Sequence, residues 1–89
     1  MVDRLEGKVA LISGGATGMG GATSRLFAAE GAKVGIVDRN AEAGRAAVAA
    51  IKAAGGEAVF AEADVSRPAD VDRAVAEISK ALGPIRVLF

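Results

Sequence analysis

The sequence predicts an α/β fold built on a doubly wound parallel sheet, and three observations point to it. Short apolar runs alternate with helix-length segments, glycines punctuate the junctions, and a glycine-rich turn directly follows the first run. Val9-Ala10-Leu11-Ile12 is continuously apolar rather than alternating. That pattern suits a strand buried on both faces of a parallel sheet.

The remaining elements follow in order. After the glycines, Ala22, Leu26 and Ala29 keep helical spacing until Gly31, which stops the helix. Val34-Gly35-Ile36-Val37 reads as a second strand closed by Asp38. Asn40 is suited to cap a second helix, with Glu42 near its positive end and Ala47, Ile51 and Ala54 on one face. Gly55-Gly56 ends that helix, and Ala58–Ala61 forms a third strand. A third helix is capped by Ser66, carries Pro68 in its first turn and favours Asp70 and Asp72 there. Its stripe is Val71, Val75, Ile78 and Leu82, and Gly83-Pro84 stops it. Ile85–Phe89 begins a fourth strand. The order β-α-β-α-β-α-β implies a parallel sheet with right-handed crossovers, and a sheet order of 3-2-1-4 is expected for it as a Rossmann-type sheet.

Composition narrows the function classes. A chain of 89 residues holds one domain or part of one, and buries only about 60–65% of its unfolded surface. Eleven basic and eleven acidic residues cancel, so no electrostatic footprint for nucleic acid or anionic lipid is expected. With neither Cys nor His, disulfides and zinc or haem sites built on those ligands are excluded, and no metal site is expected. The longest apolar run, Ala46–Ile51, is too short to span a membrane, and Met1–Glu6 lacks a signal-peptide layout. A cytoplasmic protein is the expectation.

The strongest motif is Ser13-Gly14-Gly15-Ala16-Thr17-Gly18-Met19-Gly20, between the first strand and first helix. Glycines there allow a tight turn and a close backbone approach to a pyrophosphate. The helix start behind them offers unpaired N–H groups and a positive dipole end. The strict G-x-G-x-x-G pattern is not met; G-x-x-x-G-x-G stands in its place, with Gly14, Gly18 and Gly20 as its key positions. The competing reading is a glycine turn without a ligand. Gly15, Gly21 and Gly35 read as packing or turn glycines.

Asp38 ends the second strand 20 positions after Gly18, the separation of about 20 expected for the acid that holds ribose hydroxyls. A carboxylate there accepts from both hydroxyls and repels a 2′-phosphate. Its competitor is a surface aspartate that begins a turn. Arg39 is either a solvated neighbour contacting the adenine side or a cation that greets a 2′-phosphate. Asp64-Val65 follows the third strand on the same rim. The Asp64 carboxylate is placed either to accept an adenine amino group or simply to precede a helix cap at Ser66.

Together, Ser13–Gly20, Asp38 and Asp64-Val65 resemble the short-chain dehydrogenase/reductase family. That family opens with a strand, a T/S-G-x-x-x-G-x-G loop, a charged selector after the second strand and an Asp-Val pair after the third. Leu82–Phe89 resembles its approach to the fourth strand, so the likeness covers essentially the whole chain. It implies a Rossmann-type sheet truncated after the start of its fourth strand, with residues 1–89 the N-terminal part of a single NAD(P)-binding domain. By the same resemblance, Gly14, Thr17, Gly18, Met19 and Gly20 surround the pyrophosphate and neighbouring ribose. Asp38 holds the adenine ribose with Arg39 beside it, and Asp64 and Val65 contact adenine. NADP-preferring members often carry a basic residue before the second conserved glycine. Thr17 stands there, which with Asp38 points to NAD rather than NADP. A homo-oligomeric parent is also implied, moving hydride between the nicotinamide cofactor and an alcohol or carbonyl.

The departure from the family is equally specific. Its Asn-Asn-Ala-Gly motif is expected directly after Phe89, and its catalytic Tyr-x-x-x-Lys needs a tyrosine, of which the chain has none. That tyrosine is the family's proton donor or acceptor. The chain is therefore expected to hold no catalytic residue, with Ser13, Ser24, Ser66 and Ser79 in turn, helix or cap positions. The leading expectation is a C-terminally truncated oxidoreductase. A stand-alone, non-catalytic dinucleotide-binding module is the alternative, which an end within a strand disfavours. A methyltransferase ranks third, because Ser13 stands where such enzymes usually carry an acid.

Overall fold

Successive residues of β1 (Val9–Ser13) face opposite sides of one sheet, and both sides are covered. Ala10 and Ile12 enter one core cluster while Val9 and Leu11 enter the other. The computed structural model describes residues 5–89. The expectation that no leader begins the chain falls partly on residues 1–4, which lie outside the described residues.

Seven elements alternate: β1, α1 (Gly18–Ala29), β2 (Lys33–Asp38), α2 (Ala41–Ala53), β3 (Glu57–Glu62), α3 (Pro68–Leu82) and β4 (Ile85–Leu88). The strands form one parallel sheet in the expected order β3-β2-β1-β4. Register is continuous from Ile12↔Ile36 to Ile36↔Phe60, and shifts once between β1 and β4, beside Val9 and Ala10. Helices α1 and α2 cover one face through Phe27, Ala28, Ala43, Ala47, Val48 and Ile51. On the other face, α3 packs Ala74, Val75, Ile78 and Leu82 against Leu11, Val37 and Ala61. Two glycines let helix and sheet close up: an added Cβ on Gly35 would enter Ile78, and one on Gly44 would enter the Phe60 ring.

Three local expectations are corrected. The face of α1 is not Ala22, Leu26 and Ala29: all three are exposed, Leu26 by 57%. Gly21 and Ser24 are buried instead, with Phe27 and Ala28 packed beside them. The helix is small or apolar on several sides, so periodicity alone does not choose its rotation. Its tight junction with the preceding turn does, since only small residues fit there: a Cβ on Gly21 would lie 3.1 Å from the Ala16 carbonyl oxygen. Ala54 is the exposed C-cap of α2, one residue past the buried stripe. Ser66 does not cap α3; Arg67 holds the N-cap position and Pro68 begins the helix. The Ser66 hydroxyl instead donates to Asp64 at 2.6 Å. Asn40 caps α2 as its sequence position suggests, accepting from the Ala43 amide at 3.0 Å.

Among the described residues, no helix is long and apolar enough to cross a membrane.

Candidate functional site

Because β1, β2 and β3 are parallel neighbours, the loops that follow them emerge side by side on one rim of the sheet. Backbone hydrogen bonds stitch these loops together. The Gly14 amide donates to the Val37 carbonyl at 2.7 Å, and the Ala63 amide to the Asp38 carbonyl at 3.1 Å.

The first loop turns sharply through Gly14 (φ +66°) and Gly18 (φ +60°), a backbone region that L side chains rarely adopt. A Cβ on either would meet nothing within 4 Å, so the space above them is open. Gly20 differs: its Cβ would run into the carbonyl oxygen of Gly14, so the helix start and the turn are in contact there. Thr17 is the N-cap of α1 but makes no side-chain capping bond, and the first turn holds no acidic residue. Unlike α2, which has Asn40 and Glu42, this helix keeps its positive end unneutralised by its own side chains. Met19 is 79% exposed beside it.

Asp38 stands against this turn. Its Oδ2 accepts from the Ala16 amide at 3.3 Å and its Oδ1 from the Asn40 amide at 3.0 Å. The turn-aspartate role and the proximity to the glycine loop thus coexist in one carboxylate. An ionised carboxylate has about four acceptor positions, so two remain.

The third loop separates the two residues paired in sequence. Asp64 lines a polar recess of about 290 Å³ together with Arg39, Glu62, Ala63, Asp70 and Arg73. Its Oδ1 accepts from both the Ser66 hydroxyl and the Ser66 amide, at 2.6 and 2.9 Å. Those two bonds hold the Asp64 carboxyl below its ordinary pKa; they outweigh the opposing effect of desolvation, and the charges of Arg39 and Arg67 add a smaller lowering. The backbone is set from the other side, where the Asp64 amide donates to Asp70 at 3.1 Å. Val65, 54% exposed, lines a different, apolar groove of about 390 Å³ with Leu11, Val37, Val71, Leu88 and Phe89.

The structure therefore brings Gly14, Gly18, Gly20 and Asp38 together, places Arg39 with Asp64, and sets Val65 apart from Asp64. Sequence reasoning missed Ala16 and Ser24. Ala16 carries no side-chain signal, because its contribution is an amide. Ser24 had a usable one: a serine inside a helix four residues after Gly20 tends to bond back to a carbonyl. No group of three His, Cys, Asp or Glu suited to a metal occurs among the described residues.

The family model described as short chain dehydrogenase matches residues 8–89. The chain is 49% identical over 88 residues to a 2,5-dichloro-2,5-cyclohexadiene-1,4-diol dehydrogenase of Sphingobium indicum, covering 99% of this chain and 35% of that protein. It is 40% identical over 84 residues to the 2,3-dihydro-2,3-dihydroxybenzoate dehydrogenase of Bacillus subtilis, covering 94% of this chain and 32% of the other. A crystal structure of a hydroxysteroid dehydrogenase from Escherichia coli superposes with a TM-score of 0.92 at 31% identity, over 94% of this chain and 36% of that one. The chain thus spans about a third of the length of the relatives it matches. With the glycine turn, the parallel sheet and the family match agreeing over residues 8–89, the chain belongs to the short-chain dehydrogenase family of oxidoreductases.

Proposed function

We propose that this chain holds NAD for an oxidoreductase that acts, as a whole protein, at a hydroxyl-bearing carbon or its carbonyl. The observation that carries the reading is the Asp38 carboxylate, fastened to the glycine turn by the Ala16 amide. It pairs an acceptor for a ribose diol with a turn able to receive a diphosphate.

The residues present fit such a cofactor. Space is open above Gly14 and Gly18, and the first turn of α1 has neither a side-chain cap nor an acid. Unpaired amides at a helix start favour an anion. Thr17, Met19 and Gly20 line the same turn. Asp38 disfavours a 2′-phosphate by like charge, and Thr17 brings no cation to offset it. Arg39 and Asp64 frame a recess that fits the adenine end, while Val65 lines the neighbouring apolar groove.

Bound there, the nicotinamide supplies the hydride acceptor or donor. This chain's contribution is to bind and orient; among its 89 residues no tyrosine is present to move the accompanying proton. The relatives above are each named as the dehydrogenase of a hydroxyl-bearing compound, and oxidation of such a hydroxyl, or its reverse, is the reaction class proposed for the whole protein.

Titration of the chain with NADH and NADPH, followed by nicotinamide fluorescence and calorimetry, tests the reading. Saturable NADH binding, tighter than NADPH, is expected. Binding of neither, or a preference for NADPH, would overturn it.

A further inference from the structure

We infer that Ser24 positions Asp38 through a single peptide plane, making a buried helix serine part of the cofactor-selecting apparatus. The proposal rests on the reading that the glycine turn and Asp38 hold a dinucleotide.

Ser24 is the buried polar residue of the described core, only 1% exposed. Its Oγ lies 3.0 Å from the Gly15 carbonyl oxygen and 2.9 Å from that of Gly20. Gly20 and Ser24 both belong to α1, whose own ladder supplies the Gly20 carbonyl with an amide four residues on. Gly15 lies in the turn, outside the helix. Among the described hydrogen bonds its carbonyl accepts from Ser24 alone. A buried carbonyl without a donor is costly, so the single hydroxyl proton is best spent on Gly15.

The Gly15 carbonyl and the Ala16 amide are the two ends of one planar peptide unit and face opposite ways. Ser24 grips one end and Asp38 the other, at 3.0 and 3.3 Å. Rotation of that plane would break both bonds together. With Ser24 in place the plane is set, the Ala16 amide meets Asp38 Oδ2, and the carboxylate is held toward the glycine turn. Packing keeps the arrangement tight: a Cβ on Gly15 would lie 2.8 Å from Ser24 Oγ and 3.0 Å from Ile12.

The test compares wild type with Ser24→Ala, Ser24→Cys and Ser24→Thr in the full 89-residue chain. Cysteine keeps the shape with a somewhat larger, weakly donating sulfur, whereas threonine keeps the hydroxyl and adds a methyl. Amide hydrogen exchange is read first, without cofactor. The Ala16 amide should exchange about fivefold faster or more in the Ala and Cys variants, with Ile36 and Val59 unchanged. Threonine should stay nearer wild type. NADH affinity should fall about fivefold in the Ala and Cys variants. The inference is overturned if Ala16 exchange is unchanged, if it rises only with the sheet amides, or if cysteine behaves like serine. It is overturned as well if Ala16 is freed and NADH affinity does not change. Wild type that fails to bind NADH instead sinks the dinucleotide reading, while exchange at Ala16 still decides whether Ser24 sets the plane.

Discussion

Asp38 and Ala16, 22 residues apart in sequence, are joined by a 3.3 Å hydrogen bond from the Ala16 amide to Oδ2. One side chain therefore serves the loop after β2 and the turn after β1. Asp38→Ala removes the charge and both bonds. A hydrogen bond to a charged group contributes about 1.5–3 kcal/mol, so NAD affinity should drop roughly ten- to a hundredfold. The penalty on NADP should ease at the same time, with Arg39 free to approach the phosphate. Asp38→Asn keeps one acceptor oxygen but no charge, and should move the NAD-to-NADP ratio less than alanine. Dissociation constants for both cofactors check this; a ratio that does not shift toward NADP leaves Asp38 a turn residue only.

Gly18 and Gly20 should fail for different reasons. An alanine at Gly18 meets no atom but must hold φ near +60°, a cost of about 1–2 kcal/mol. At Gly20 the new methyl runs into the Gly14 carbonyl oxygen, so backbone must move against backbone, at about 1–3 kcal/mol. Thermal melts should show Gly20→Ala as the less stable. Gly18→Ala should lose NADH binding out of proportion to its smaller melting change, because its methyl projects into the open space above the turn.

Asp64 makes a prediction about acid. Its folded pKa lies below the ordinary 3.8, chiefly through the Ser66 hydroxyl and then the Ser66 amide. A depressed carboxyl contributes stability that is present above the unfolded value and lost as pH falls through the folded one. Its window therefore lies below pH 3.8. Carboxyl carbon chemical shifts should place the midpoint there, and Ser66→Ala should return it part of the way, since the amide bond remains. A midpoint unmoved by Ser66→Ala would show that the hydroxyl bond is not formed in solution.

The 89-residue chain should self-associate. Among the described residues β4 pairs only with β1, at the edge of the sheet, and it presents Leu88, 74% exposed, in the apolar groove also lined by Phe89 and Val65. An apolar edge strand of this kind pairs readily with other chains. Light scattering should report mass rising with concentration, and Leu88→Lys should suppress it. A concentration-independent monomer would show that the edge is protected.

Dehydrogenase turnover should be absent from the purified 89-residue chain whatever its cofactor affinity, because no tyrosine is available for proton transfer. A panel of secondary alcohols with NAD, read at the NADH absorbance, is the check. Activity that copurifies with the 89-residue species refutes this.

Much of this protein was legible before any coordinates. Element order, the parallel sheet and the double burial of β1 follow from short apolar runs separated by helix-length segments. Such runs leave a parallel sheet covered on both faces as the economical arrangement. Asn40 as a cap and glycines at the turn were readable for the same reason: each acts on residues only a few positions away. Only the tertiary structure decided which side of α1 is buried, because Leu26 and Phe27 offer competing apolar faces and contact with the turn selects between them. It also decided that Asp64 faces Arg39 while Val65 lines another groove, and that Ser66 serves Asp64 rather than α3. The Ser24–Gly15–Ala16–Asp38 chain of bonds lies furthest from sequence reading. Two of its links are backbone groups, which every residue carries; Ser24 reaches Gly15 across the packed junction of α1 with its turn, and Asp38 reaches Ala16 because parallel strands bring distant loops to one rim.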